Sequence, residues 1–284
     1  MENNLTDISY IKKLCEKYGF SLSKNFGQNF IVNAGICPKI VNSSNITKED
    51  GVIEIGTGIG VLTKELSKAS KKVVAIEIDE RLPSLLEESL ADCDNVKVIM
   101  GDVLKVDLAQ IIKDEFPNTK VSVCANLPYY ITSPIIMKLL EDKLPIDSIT
   151  VMVQKEAAER ICAKTGTRKC GAISYAINYY AKATQLFTVS PGSFYPPPKV
   201  TSSIIRLDIN NAPPVNPMDE KKMFKLIRFA FNQRRKTIVN SLSAGLSLPK
   251  TDISTAMENI NLSPLLRPEQ MTLEDFANLS NELK

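Results

Sequence analysis

Five short apolar runs recur between residues 51 and 154: "GVIEIG", "KVVAIEID", "VKVIMGD", "KVSVCAN" and "SITVMVQ". The segments between them, "GVLTKELSKA", "ERLPSLLEESL", residues 107–115 and residues 133–142, read as helices. Parallel strands cannot be joined by a tight turn, so this alternation predicts a parallel sheet covered by helices on both faces. Upstream, residues 6–18 and 34–44 read as helices around a glycine loop, "SKNFGQNFIVN". Downstream, a helix is expected over 154–164, followed by an apolar segment near 172–182. "TQLFTVS" and "TSSIIRLDI" are expected to form an antiparallel hairpin at the sheet edge. At residues 210–217, "NNAPPVNP" reads as a linker. Everything beyond it is helical in pattern, over 219–231, 235–243, 252–259 and 272–281. The expected organisation is therefore α/β over 1–209 and a small all-helical domain over 210–284.

Composition narrows the chemistry. The chain of 284 residues has no histidine, which removes the commonest general base and metal ligand. Its six cysteines include no C-x-x-C pair, so neither a disulfide framework nor a metal site is expected. No apolar run is long enough to cross a bilayer, and the polar N-terminus has no signal-like segment; a cytoplasmic protein without membrane partners is expected. Net charge is only +3, but Lys221–Lys250 holds eight basic residues and no acidic one. A charge run is commonly a solvated helix face. Here Phe229, Phe231, Ile238 and Leu242 interleave with the charges, so one face can pack while Arg234, Arg235 and Lys236 meet phosphates.

Four strand ends carry candidate chemistry. "EIGTGIG" ends the first run with Gly56, Gly58 and Gly60, where backbone can turn tightly and approach a ligand. Glu77 ends the second run 21 residues after Gly56, where a carboxylate suits a pair of ribose hydroxyls. A nicotinamide nucleotide would fit so far. The glycine spacing is G-x-G-x-G, however, and not G-x-G-x-x-G. Asp102 after the third run can accept from an adenine amino group, and carboxylates favour a cationic sulfonium. These points select S-adenosylmethionine. The fourth run ends in Asn126-Leu127-Pro128-Tyr129, of the form [NDS]-x-P-[YF]. The Asn126 side-chain oxygen and the Leu127 carbonyl can accept both hydrogens of an exocyclic amine and direct its lone pair toward a methyl group. Pro128 fixes φ, and Tyr129 offers a stacking face. Positioning of this kind needs no histidine.

On these motifs the chain resembles the ribosomal RNA adenine N6-dimethyltransferases, in particular the bacterial small-subunit branch. "KNFGQNFIVN", "EIGTGIGVLT", "VVAIEID", "GDVL", "NLPYYITSP", "FYPPPKVTSSIIRL" and "FNQRRKTIVNSL" each match a family segment in order. The resemblance implies a Rossmann-like S-adenosylmethionine-dependent methyltransferase fold. It implies cofactor contacts at Asn29, Ile31, Gly56, Glu77, Asp102 and Asn126, with Phe194 as a second stacking ring opposite Tyr129. It also implies a monomer that dimethylates two adjacent adenines in the 3′-terminal hairpin of 16S rRNA, within the immature small subunit. A macrolide-resistance methylase of 23S rRNA and a non-catalytic RNA-binding factor of the same fold are the alternatives. One departure stands out: Thr57 occupies the usual proline position of E-x-G-P-G-x-G, and is expected to loosen the turn slightly.

Overall fold

A computed structural model describes residues 4–22 and 27–283. The chain forms two compact units. One takes in the chain up to Ala158 together with Thr184–Ile209; the other takes in Glu159–Ala183 together with the chain from Asn210 onward.

The first unit is built on a seven-stranded sheet. Its strands are β2 (Gly51–Ile55), β3 (Lys72–Glu77), β4 (Val96–Met100), β5 (Val121–Asn126), β6 (Ser148–Gln154), β7 (Ala181–Val189) and β9 (Ser202–Ile209), in the order β4-β3-β2-β5-β6-β9-β7. A separate two-stranded ribbon pairs β1 (Phe30–Ile31) with β8 (Phe194–Tyr195). From β4 to β6 all neighbours are parallel, and β9 runs antiparallel to β6. Strand β2 is buried along its whole length, as is β5 up to its terminal asparagine, which explains why both read as continuous apolar runs. Strands β7 and β9 lie side by side at one edge as expected, but β8 intervenes in the chain, so no tight turn joins them.

Strand order reverses around β2, between β3 and β5. In open α/β sheets the crevice beyond the carboxyl ends at such a point is where ligands bind. The register delivers three motifs to it together. Ile55 lies opposite Ile76 on one side and Ala125 on the other, so Gly56, Glu77 and Asn126 are each the next residue out.

The ribbon was not legible in the sequence. Phe30 pairs with Tyr195 and Ile31 with Phe194, and the Val32 N–H donates to the Ser193 carbonyl (2.9 Å). It laces the N-terminal motif to the "FYPPPKV" segment. Residues 24–26 of that N-terminal motif lie outside the described residues.

The second unit corrects the expected boundary. The chain does change units at Asn210, but Glu159–Ala183 belongs with the C-terminal helices. The helix Ala172–Tyr180 supplies buried Tyr175 and Tyr179 to a core shared with Met223, Leu226, Phe276 and Leu279. The Tyr175 ring meets Phe276 edge-on with centroids 5.1 Å apart. Its hydroxyl donates to the carbonyls of Met271 (2.6 Å) and Pro268 (3.1 Å). The helices Glu220–Asn232 and Leu273–Glu282 start at side-chain caps from Asp219 and Thr272. Among the described residues, no helix is long and apolar enough to cross a membrane.

Candidate active site

The glycine loop leaves β2 through three left-handed residues, Gly56 (φ 78°), Gly58 (φ 53°) and Gly60 (φ 92°). At Gly60 conformation and space both demand glycine: a Cβ there would come within 2.8 Å of Leu90 Cδ2. At Gly56 nothing stands within 4 Å of such a Cβ, so only the φ angle requires glycine.

Glu77 holds this loop in place. Its Oε2 accepts from the Thr57 N–H (2.9 Å), the Thr57 hydroxyl (2.9 Å) and the Gly58 N–H (3.3 Å). Its Oε1 accepts from the N–H groups of Ile78 (2.8 Å) and Asp79 (2.9 Å). Thr57 therefore ties the turn down rather than loosening it, because it supplies an N–H and a hydroxyl where proline has neither. One residue further out, buried Asp79 accepts a two-pronged bond from Arg81 (Nε 2.8 Å, Nη2 2.7 Å) and one from Gln28 Nε2 (2.8 Å). The Arg81 guanidinium is the main reason the Asp79 carboxyl titrates below its usual range. Gln28 in turn belongs to the wall that carries Asn29. The Asn29 amide donates to the Gly27 carbonyl (3.0 Å), and Ile31 is buried in the ribbon.

A single cavity borders Asn29, Ile31, Gly56, Glu77, Asn126 and Tyr129, all singled out in the sequence. Leu127 and Pro128 border it too. Among the described residues, no partner occupies the Asn126 side-chain amide or the Leu127 carbonyl. Pro128 adopts φ −58° and ψ 129°, and its own carbonyl accepts from the Ile131 N–H (3.2 Å) and the Thr132 hydroxyl (3.3 Å), which fixes the turn. Tyr129 is half-buried and its hydroxyl lies 2.6 Å from Ser202 Oγ on β9. Burial raises the pKa of that phenol, and the Ser202 hydrogen bond opposes the shift.

Two expected residues, Asp102 and Phe194, are not gathered in. Asp102 does not border the cavity; its Oδ1 accepts from the Leu104 N–H (3.0 Å) and its Oδ2 lies 3.4 Å from Lys105 Nζ. Phe194 is buried in the core with Ile31, Cys37 and Val189, and its ring does not border the cavity either. Ribbon pairing with Ile31 draws it inward, a constraint invisible in local sequence. Arg234, Arg235 and Lys236 sit in the turn between the helices Glu220–Asn232 and Ile238–Leu246, not on a helix. Arg235 and Lys236 are exposed there, and Arg234 Nη2 donates to the Arg168 carbonyl.

Glu54 was missed. It is fully buried on β2 yet borders the cavity, and neither carboxylate oxygen has a hydrogen-bond partner. Burial pushes its pKa up to about 8, with the Thr63 hydroxyl beside it opposing and the Glu77 charge reinforcing the shift. An acid inside an otherwise apolar run was the available signal.

The arrangement suits S-adenosylmethionine. A tightly turned glycine loop, an acid at the second strand end and an open amide at the fourth provide close backbone approach, negative charge and an acceptor. Comparison with known proteins points the same way. The ribosomal RNA adenine dimethylase family matches residues 19–284. The chain is 45% identical over 288 residues to the ribosomal RNA small subunit methyltransferase A of Geobacillus sp. (strain WCH70), covering 100% of this chain and 99% of that protein. It is 46% identical over 276 residues to the protein of the same description from Alkaliphilus metalliredigens (strain QYMF), covering 97% and 96%. Among solved structures, a dimethyladenosine transferase from Plasmodium falciparum superposes with a TM-score of 0.73 at 28% identity, covering 88% of this chain and 95% of that one. The 23S rRNA methyltransferase ErmE shares the fold, with a TM-score of 0.67 at 23% identity over 90% of this chain and 99% of that one. These similarities define an S-adenosylmethionine-dependent methyltransferase. The chain belongs to the ribosomal RNA adenine dimethylase family.

Proposed function

We propose that this protein dimethylates N6 of two adjacent adenosines in the 3′-terminal hairpin loop of 16S rRNA, acting as a cytoplasmic monomer on the maturing small subunit. The observation that carries the reading is the pair of open acceptors, the Asn126 amide oxygen and the Leu127 carbonyl, at a strand end beside a half-buried tyrosine. Full-length similarity to proteins described as small subunit methyltransferase A favours the small subunit over the 23S alternative.

Bound in the cavity, S-adenosylmethionine supplies a methyl group made electrophilic by its sulfonium charge. The Gly56 loop, Glu77, Asn29 and Ile31 would hold it, with Asp102 beyond the cavity available to an adenine amine. The chain's own residues then act by placement. The nitrogen lone pair of adenine N6 is delocalised into the ring. Accepting both its hydrogens at Asn126 and Leu127 pyramidalises the amine and aims the lone pair. The Tyr129 ring, steadied through its hydroxyl by Ser202, supports the flat base. The alkylated nitrogen is a strong acid and releases its proton readily, so a histidine-free site suffices. A base in a loop costs less to extrude than a paired one.

The test is to incubate the protein with labelled S-adenosylmethionine and immature ribosomal subunits, then map modified positions in both large rRNAs. Dimethylation at two neighbouring adenosines near the 16S 3′ end is expected, and label confined to 23S rRNA overturns the proposal. In the same assay Asn126→Ala should lower kcat on the order of 10²-fold through misplacement of the amine, with RNA affinity little changed.

A further inference from the structure

Two neighbouring tyrosines at the cavity differ sharply in restraint. Tyr129 is half-buried and anchored at 2.6 Å to Ser202, which is itself fully buried. Tyr130 is 62% exposed, and among the described residues its hydroxyl has no partner. Yet Tyr130 borders the same cavity. The short 3₁₀ turn Tyr129–Ile131 holds its backbone, so the ring leaves the turn at a set point rather than from a loose loop. One side of the ring is backed by the Gly27 main chain, where an added Cβ would stand 3.6 Å from Tyr130 Cε1 and 3.8 Å from Cδ1.

A large ring left in water at a cavity mouth, with no hydrogen bond to account for it, is a stacking platform for a flat partner. Single-stranded RNA is recognised largely by such platforms, because every base has a π face. A base lodged against Tyr129 brings its chain neighbour to the mouth, where Tyr130 stands. We propose that Tyr130 forms a second nucleobase subsite, which stacks the base adjacent to the one being methylated, so that the two tyrosines together engage a dinucleotide. The proposal rests on the reading of the cavity as an adenine pocket. It deepens that reading by giving the enzyme a holding place for the second of two adjacent adenines while the first is processed.

The experiment uses the full chain and a hairpin RNA in which 2-aminopurine, which lacks the reactive amine, replaces either of the two adjacent adenines. Fluorescence on binding reports where each probe stacks. With the parent protein, both positions should respond. Tyr130→Ala should abolish the response at one position, keep it at the other, and weaken RNA binding roughly 5- to 150-fold. Tyr130→Phe should behave as the parent, because the ring and not the hydroxyl does the stacking. Equal thermal midpoints for the three proteins establish that the exposed substitution leaves the fold intact. If Tyr130→Ala retains both responses at parental affinity, the second subsite is wrong while the adenine pocket stands. If neither probe responds with the parent protein, the pocket reading fails, and the subsite with it.

Discussion

At Glu77 five donors converge on one carboxylate, two of them from Thr57. A carboxylate offers about four lone-pair sites, so this one is saturated by its own loop. A ligand hydroxyl that reaches Glu77 has to displace one of them, and the Thr57 hydroxyl is the donor freest to rotate away. Thr57→Val keeps the side-chain shape and removes that donor. It should lower stability by about 1.5–3 kcal/mol, the worth of a hydrogen bond to a charged group, in denaturant unfolding. Cofactor affinity in titration calorimetry should hold or rise, because Oε2 is then open. Glu54 makes a different case. Its pKa, raised to about 8 by burial, means that the folded protein keeps a proton which the unfolded chain has lost above the ordinary carboxylate range. Between about pH 5 and pH 8 the unfolded state therefore binds fewer protons, and stability falls as pH rises through that window. Glu54→Gln should flatten this slope, measured as the denaturant midpoint across pH. Neither effect was readable from the residues alone: "EIGTGIG" reveals an acid and a threonine, but not that one carboxylate is filled and the other orphaned.

Among the elements, helices and strands of the parallel sheet follow their local pattern closely, and the deviations fall where long-range pairing or capping intervenes. The basic segment shows this. Spacing predicted a helix from 235, whereas Thr237 caps the helix that begins at Ile238 by accepting from the Asn240 N–H (3.4 Å). Arg234, Arg235 and Lys236 are thereby placed on a turn, with two of the three exposed. Replacing all three with Gln should weaken RNA binding and flatten its log–log salt dependence by roughly two units, at about 0.7 per phosphate on single strands. A nitrocellulose-filter titration across salt concentrations measures this, and an unchanged slope would leave the turn as a solvated surface. Arg234 also serves the second unit through its bond to the Arg168 carbonyl, so its single substitution should cost stability as well. The β1–β8 ribbon is the other deviation. Two residues on each strand carry no periodic signal, and only the partner across the fold makes them strands.

For the molecule as a whole, the proline- and asparagine-rich stretch at 210–217 suggests a helical domain made of residues 210–284 alone. Packing denies it. Cys170, Tyr175 and Tyr179 are buried in the same core as the C-terminal helices, so a fragment starting at Asn210 lacks part of its interior. Removing large buried side chains costs about 2–5 kcal/mol each, comparable with the whole stability of a small unit. Such a fragment should show no cooperative thermal transition by circular dichroism. By itself the sequence determined the alternation of strand and helix, the glycine turn, the acid at the second strand end and the Asn126–Tyr129 device. Each depends on residues within one turn or one strand of each other, where spacing and backbone propensity decide. Only the tertiary structure decided that Phe194 turns inward, that Thr57 fastens Glu77, that Tyr130 stays open while Tyr129 is anchored, and that Glu159–Ala183 joins the helical unit. Those outcomes hang on contacts between residues distant along the chain, and burial and hydrogen-bond satisfaction across such distances leave no local pattern to read.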